Sequence, residues 1–252
     1  IMAVQAMDVA VRTHVGLVRS RNQDWLHADG DLGILVLADG MGGHRGGEVA
    51  SRIAVEGVID ALVPAQREDV ADDMESLMRV GEAAEFANRL LLEKSLERPE
   101  LKGMGTTVVL AICREGRIFY AHVGDSRLYR VRYGRMRRLT RDHSLIQQVI
   151  DAGVFLNRHA ARRGGVKDNI LTRSLGMALQ AVVDVGDAVL EARDTYLFCS
   201  DGLHNLVPDN IIAKILRDPE GDLEEQAQVL TDTALGAGGK DNISIILARP
   251  RR

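Results

Sequence analysis

Five aspartates could carry chemistry, and four of them stand at a strand edge beside glycine or within two residues of it, where a carboxylate is held firmly and aimed outward. Asp39 follows the apolar run Gly33 to Ala38 (GILVLA) and precedes Gly40-Met41-Gly42-Gly43. Asp125 follows Ile118 to Val123 (IFYAHV) and Gly124, ahead of Ser126-Arg127. Asp201 follows Tyr196 to Cys199 and Ser200, and precedes Gly202. Asp241 comes before the last apolar run, in Gly238-Gly239-Lys240-Asp241-Asn242, and Asp24 lies in Arg19-Ser20-Arg21-Asn22-Gln23-Asp24. The end of a strand fixes a side chain while pointing it out of the sheet. A neighbouring glycine lets backbone approach an ion, so that a carbonyl can also ligate. Several carboxylates converging on one spot repel one another unless cations neutralise them. Hard oxygen ligands suit Mg²⁺ or Mn²⁺ rather than a soft metal. Two such ions about 3.5–4 Å apart could bridge a water and lower its pKa towards ~7. That would make a hydroxide nucleophile without any Ser or Cys. Any single Asp-Gly reads equally well as a turn, but turns alone do not call for Asp at each of these positions. Spacing by itself does not bring the five together in space.

The elements that must position them are strands of near-continuous apolar sequence. Gly33 to Ala38, Thr106 to Cys113, Ile118 to Val123, Leu128 to Val131, Val182 to Val189, Tyr196 to Cys199 and Ile243 to Ala248 are expected strands. Arg114-Glu115-Gly116 is a hairpin signal between two of them. Helical periodicity covers Gly47 to Leu62, Val70 to Leu96, Asp142 to Ala152, Asn210 to Arg217 and Leu223 to Leu235. Strands and helices do not alternate regularly, so the fold class is α+β: antiparallel sheets packed face to face with helices outside. No repeat, linker or low-complexity tract divides the chain, and residues 1–252 are expected to form a single domain. Residues 153–170 lack periodicity and are expected to be a long, flap-like loop.

The chain has 252 residues and a formal net charge of −4. No strong positive field exists to hold nucleic acid or an anionic membrane. The two cysteines, Cys113 and Cys199, lie in apolar runs without a metal-binding spacing, which excludes a disulfide framework and a structural zinc site. No apolar stretch reaches about 18 residues and no basic-then-apolar leader is present, so no membrane span is expected and a cytoplasmic location is.

Val36-Leu37-Ala38-Asp39-Gly40-Met41-Gly42-Gly43-His44, Gly105-Thr106-Thr107, Gly124-Asp125-Ser126-Arg127, Ser200-Asp201-Gly202 and Asp241-Asn242-Ile243-Ser244 occur in that order. Together, from about residue 8 to residue 248, they resemble the metal-dependent serine/threonine protein phosphatases of the PP2C or PPM family in its compact bacterial form. The resemblance implies a β-sandwich of two antiparallel sheets flanked by pairs of α-helices, with metals in a cleft at one edge. It implies two central Mn²⁺ or Mg²⁺ ions and possibly a third. Asp39 would bridge the central pair, with the Gly40 carbonyl as a further ligand. Asp201 and Asp241 would complete one ion's protein ligands, Asp24 would hold metal-bound water, and Asp125 with Asp201 would form the third site. Arg19, five residues before Asp24, would bind the phosphate, and Asn242 would support Asp241.

Two positions depart from the family. Residue 23 is Gln where many members carry Glu, and residue 41 is Met where eukaryotic members place a histidine proposed as general acid. The general acid is therefore unassigned, with His44 and a metal-bound water as candidates. The implied reaction is hydrolysis of phosphoserine and phosphothreonine on proteins by a metal-bridging hydroxide, opposing a bacterial serine/threonine kinase. The alternatives are a phosphopeptide-binding scaffold on the same fold and a small-molecule metal phosphoesterase. Phosphorylated proteins and a kinase are the expected partners, with a monomer favoured. Arg158, Arg162, Arg163 and Lys167 read equally as a solvated loop or as a basic flap that seats an acidic phosphopeptide. Asp142 is an expected helix N-cap. His14, His122, His143, His159 and His204 are expected to be structural.

Overall fold

The computed structural model describes residues 3–42, 46–68 and 72–251. Eleven strands are present among them: β1 (Met7–His14), β2 (Asp24–Asp29), β3 (Ile34–Met41), β4 (Gly105–Thr106), β5 (Val108–Arg114), β6 (Arg117–Val123), β7 (Arg127–Arg132), β8 (Arg135–Arg138), β9 (Asp184–Val189), β10 (Thr195–Cys199) and β11 (Ile243–Pro250). The helices are α1 (Gly46–Arg67), α2 (Asp73–Glu97), α3 (Leu145–Asp151), α4 (Arg158–Arg163), α5 (Asp201–His204), α6 (Asp209–Ile215) and α7 (Leu223–Gly236).

The strands form two antiparallel sheets, β1-β11-β10-β7-β8 and β2-β3-β5-β6-β9, with β4 paired to β3. Three apolar clusters fill the layers. Leu35, Leu37, Val109 and Ala111 meet Leu128, Tyr196, Phe198 and Ile246 between the sheets. Ala54, Val58, Val80, Ala84 and Leu91 of α1 and α2 cover the outer face of one sheet. Leu203, Ile212, Leu230 and Ala234 of α5, α6 and α7 cover the outer face of the other. The continuously apolar strands are so because both their faces are covered. β5, for example, is buried along its whole length. Gly116, at φ 76°, closes the β5–β6 hairpin that pairs Arg114 with Arg117.

The structure corrects four sequence expectations. The run Thr106 to Cys113 is not one strand. Thr107 leaves the ladder because its N–H and hydroxyl bond the Asp39 carbonyl and N–H, each at 2.9 Å. Residues 153–170 are not all loop: Asn157 accepts a hydrogen bond from Ala160 N–H and starts α4. Asp142 does not cap α3; Ser144 does, accepting from Gln147 N–H, while Asp142 is buried in an ion pair with Arg127. The run starting at Val182 becomes strand only from Asp184.

Candidate metal centre

One hollow of about 260 Å³ at the sandwich edge is lined by Arg19, Asp39, Gly40, Asp125, Asp201 and Asp241. Asp39 comes from β3 and Asp125 from the turn entering β7. Asp201 opens α5, and Asp241 lies just before β11. Asp24 starts β2, directly opposite Asp39 in the β2–β3 ladder. Both sheets therefore contribute.

Each ligand candidate is fixed by local chemistry. Gly40 donates its N–H to the Gln23 carbonyl, and a Cβ there would lie 2.0 Å from the Gly47 carbonyl oxygen at the start of α1. Only glycine allows that approach. A Cβ on Gly202 would lie 1.9 Å from the Asn242 carbonyl oxygen, so Gly202 lets the Asp201 turn press against the Asp241 segment. Asn242 staples that segment to the Arg19 loop. Its side chain accepts from Gln23 N–H at 2.8 Å and donates to the carbonyls of Val15 at 2.9 Å and Arg21 at 2.8 Å. That is the expected support for Asp241, made through backbone. Arg19 Nη2 donates to Asp241 Oδ2 at 2.8 Å, and Asp241, Asp201 and Asp39 all raise its pKa.

The electrostatics demand cations. Burial, then repulsion from Asp24, Asp201, Asp125 and Asp241, holds the Asp39 carboxyl well above the usual range. Asp201 is pushed up by burial and by Asp125, Asp241 and Asp24. Burial pushes Asp24 to about 6 against the help of Ser244 and Ser200. Burial and Asp142 push Asp125 to about 6. Asp39 interacts with both Asp24, its partner across the ladder, and Asp201. Asp24 Oδ1 is buried without a hydrogen-bond partner. An unpaired buried carboxylate oxygen beside other carboxylates is relieved by a cation or its water. All the donors are hard oxygens, which fits Mg²⁺ or Mn²⁺.

Among the described residues, one trio of metal-capable side chains has its ligand atoms all within 4.8 Å: His122, His143 and Asp184. Their chemistry is that of a polar network. The two imidazoles stack with centroids 4.7 Å apart and planes at 18°, so their lone pairs run side by side rather than converging. Arg173 already donates to Asp184 Oδ1 at 2.8 Å. Among the described residues no three of the five aspartates bring their carboxylate oxygens that close together.

Sequence reasoning missed several supporting residues. Ser200 donates to Asp24 Oδ2 at 2.8 Å, and Asn205 Nδ2 donates to Asp201 Oδ2 at 3.1 Å. His204, kept neutral by burial, uses Nε2 on the Asp125 carbonyl at 2.9 Å. His14 Nδ1 accepts from Gly16 N–H at 2.9 Å. Only adjacency to Asp201 marked Ser200, Asn205 and His204. Met41 lines the hollow, and His44 lies outside the described residues. Arg158 and Arg162 are paired with Asp168, and Arg158 also reaches Asn205.

Comparison with known proteins converges with this geometry. The family model of protein phosphatase 2C matches residues 18–218. The serine/threonine phosphatase stp of Listeria welshimeri is 36% identical over 244 residues, covering 96% of this chain and 95% of its own. The Mycobacterium tuberculosis serine/threonine phosphatase PstP/Ppp superposes with a TM-score of 0.87 at 32% identity, over 98% of this chain and 99% of that one. The catalytic domain of PstP in complex with two manganese ions gives a TM-score of 0.81 at 34% identity, over 96% and 97% of the two chains.

Proposed function

The chain belongs to the protein phosphatase 2C family, and from this we infer that it is a metal-dependent protein phosphatase acting on phosphoserine and phosphothreonine. The observation that carries the inference is the meeting of Asp39, Asp125, Asp201 and Asp241, drawn from both sheets, around one hollow, with Asp24 buried opposite Asp39 in the ladder. The proposed unit is the whole chain as a single catalytic domain, with residues 153–170 as its flap. The relatives' names support phosphoproteins as substrates, and a serine/threonine kinase is the proposed source of them.

Asp39, Asp201, Asp241 and the Gly40 carbonyl are proposed to hold a central pair of Mn²⁺ or Mg²⁺ ions. Asp24 would hold their water, and Asp125 with Asp201 would serve a third ion. When bound, the cations neutralise phosphoryl charge and supply ionised water for attack on phosphorus. The chain does the rest. Thr107 and Asn242 fix the backbone under Asp39 and Asp241. Arg19, among the described residues, bonds Asp241 through Nη2 alone, which leaves other guanidinium N–H groups for a phosphate dianion. Among the described residues no imidazole lines the hollow; His44, which lies outside them, and water are the candidates for the proton of the leaving serine or threonine oxygen.

Asp39→Asn and Asp241→Asn test this. Assayed on a phosphopeptide with Mn²⁺, with and without a chelator, both are expected to lose activity. Wild-type turnover by both would overturn the site assignment. Activity on small phosphate esters but not on phosphopeptides would favour the small-molecule alternative.

A further inference from the structure

Residues 127–141 contain seven arginines and no acidic residue, in a chain of net charge −4. They form the β7–β8 hairpin and the segment after it. Four of the seven are neutralised. Arg127 and Arg138 pair with Asp142, Arg132 with Glu191 and Asp194, and Arg141 with Asp151. Arg130, Arg135 and Arg137 have no ion pair among the described residues. Arg135 and Arg137 are exposed, and Arg130 is half-buried with its Nε enclosed and unbonded.

The register makes this arrangement costly. Arg130 lies directly opposite Arg137, and Arg132 directly opposite Arg135. Residues opposite one another share a face, and like charges so placed destabilise a sheet. Arg130 is also opposite Tyr196, which belongs to the cluster between the sheets. The guanidinia therefore stand on the inward-facing side of the sheet, at its β8 edge. Glu191 and Asp194 compensate Arg132, which among the described residues leaves Arg130, Arg135 and Arg137 uncompensated on that face. An anion would relieve the repulsion and bond the exposed guanidinia of Arg135 and Arg137.

We propose that this face of the β7–β8 hairpin is an exosite for a carboxylate- or phosphate-rich segment of the protein substrate. The proposal rests on the phosphatase function above. β7 starts two residues after Asp125, and Arg130 is three residues further along, about 10 Å at strand spacing. An extended peptide therefore needs about three to six residues between its phosphorylated side chain and its acidic segment. A protein segment suits the patch better than nucleic acid. Three free guanidinia on an acidic protein give too few phosphate contacts to hold a polyanion at physiological salt.

The test compares two phosphothreonine peptides, one with a run of glutamates starting about five residues from the phosphate, the other with glutamines. Each is made with the run on either side. Wild type is expected to favour one glutamate peptide by roughly tenfold in kcat/KM, fading as salt rises. Arg135→Glu/Arg137→Glu, and the milder Arg137→Gln, are expected to reduce that preference. Turnover of the glutamine peptides and of a small aryl phosphate should stay within about twofold. Absence of a glutamate preference in wild type, or its persistence in both variants, would overturn the exosite. So would loss of duplex-oligonucleotide binding in the variants with the peptide preference unchanged. Failure of wild type on every phosphopeptide would instead strike the proposed function itself.

Discussion

Ser200 sits beside one candidate ligand, Asp201, and bonds another, Asp24. Its hydroxyl aims the Asp24 carboxylate but touches no reacting group. Ser200→Ala is therefore expected to raise the Mn²⁺ concentration for half-maximal activity by ~10-fold while leaving kcat at saturating Mn²⁺ nearly unchanged. A metal titration of activity checks this, and a fall in saturated kcat without a shift in metal requirement would contradict it. Gly202 acts through space it leaves empty. Gly202→Ala places a methyl against the Asn242 carbonyl, and the strain is expected to cost about 1–3 kcal/mol in urea unfolding. At this scale the sequence was readable where a carboxylate stood beside glycine at a strand end. Asp39, Asp125 and Asp201 stood out that way. Ser200 and Asn205 did not, because a hydroxyl or amide next to a ligand looks the same whether or not it bonds one.

Among the elements, β7 and the segment before α3 are joined by one buried pair. Arg127 donates to Asp142 through Nε at 2.8 Å and Nη2 at 2.6 Å, and Arg138 and Arg158 also approach Asp142. Burial opposes ionisation of Asp142, but Arg127 overrides it and holds the pKa below the usual range. A depressed folded-state pKa contributes stability that is fully present above the unfolded value of ~3.9 and lost as pH falls below it. Arg127→Met removes the two shortest hydrogen bonds to the buried Asp142 carboxylate, leaves it the longer contacts of Arg138 and Arg158, and is expected to cost about 1–3 kcal/mol. Arg127→Met/Asp142→Leu should recover much of that by thermal or urea midpoint, and equal loss in both variants would refute the pairing argument. The sequence pointed to Asp142 as a helix cap because only local partners can be seen in a sequence. Its real partner belongs to another strand. The same limit hid β1, β2 and β8, whose mixed polar patterns become strands only through their neighbours. The apolar strands and the long helices were legible because their periodicity is local.

Across the whole molecule, two sheets hold five carboxylates at one edge, and the cation-free protein bears the repulsion. Asp24 and Asp125, pushed up to about 6, bind protons more tightly folded than unfolded. Their contribution is thus fully present below about 4 and lost as pH rises through about 6. Mn²⁺ is expected to raise the thermal midpoint more at pH 7.5 than at pH 5, because it replaces protons only where they have left. Scanning calorimetry with Mn²⁺ or chelator at the two pH values checks this, and an equal shift would count against the clustered carboxylates. β11 pairs with β1 along its length, and Asp241 stands at its start. Asp39 is made early in translation and Asp241 late, so a nascent chain that ends between them lacks part of the proposed site.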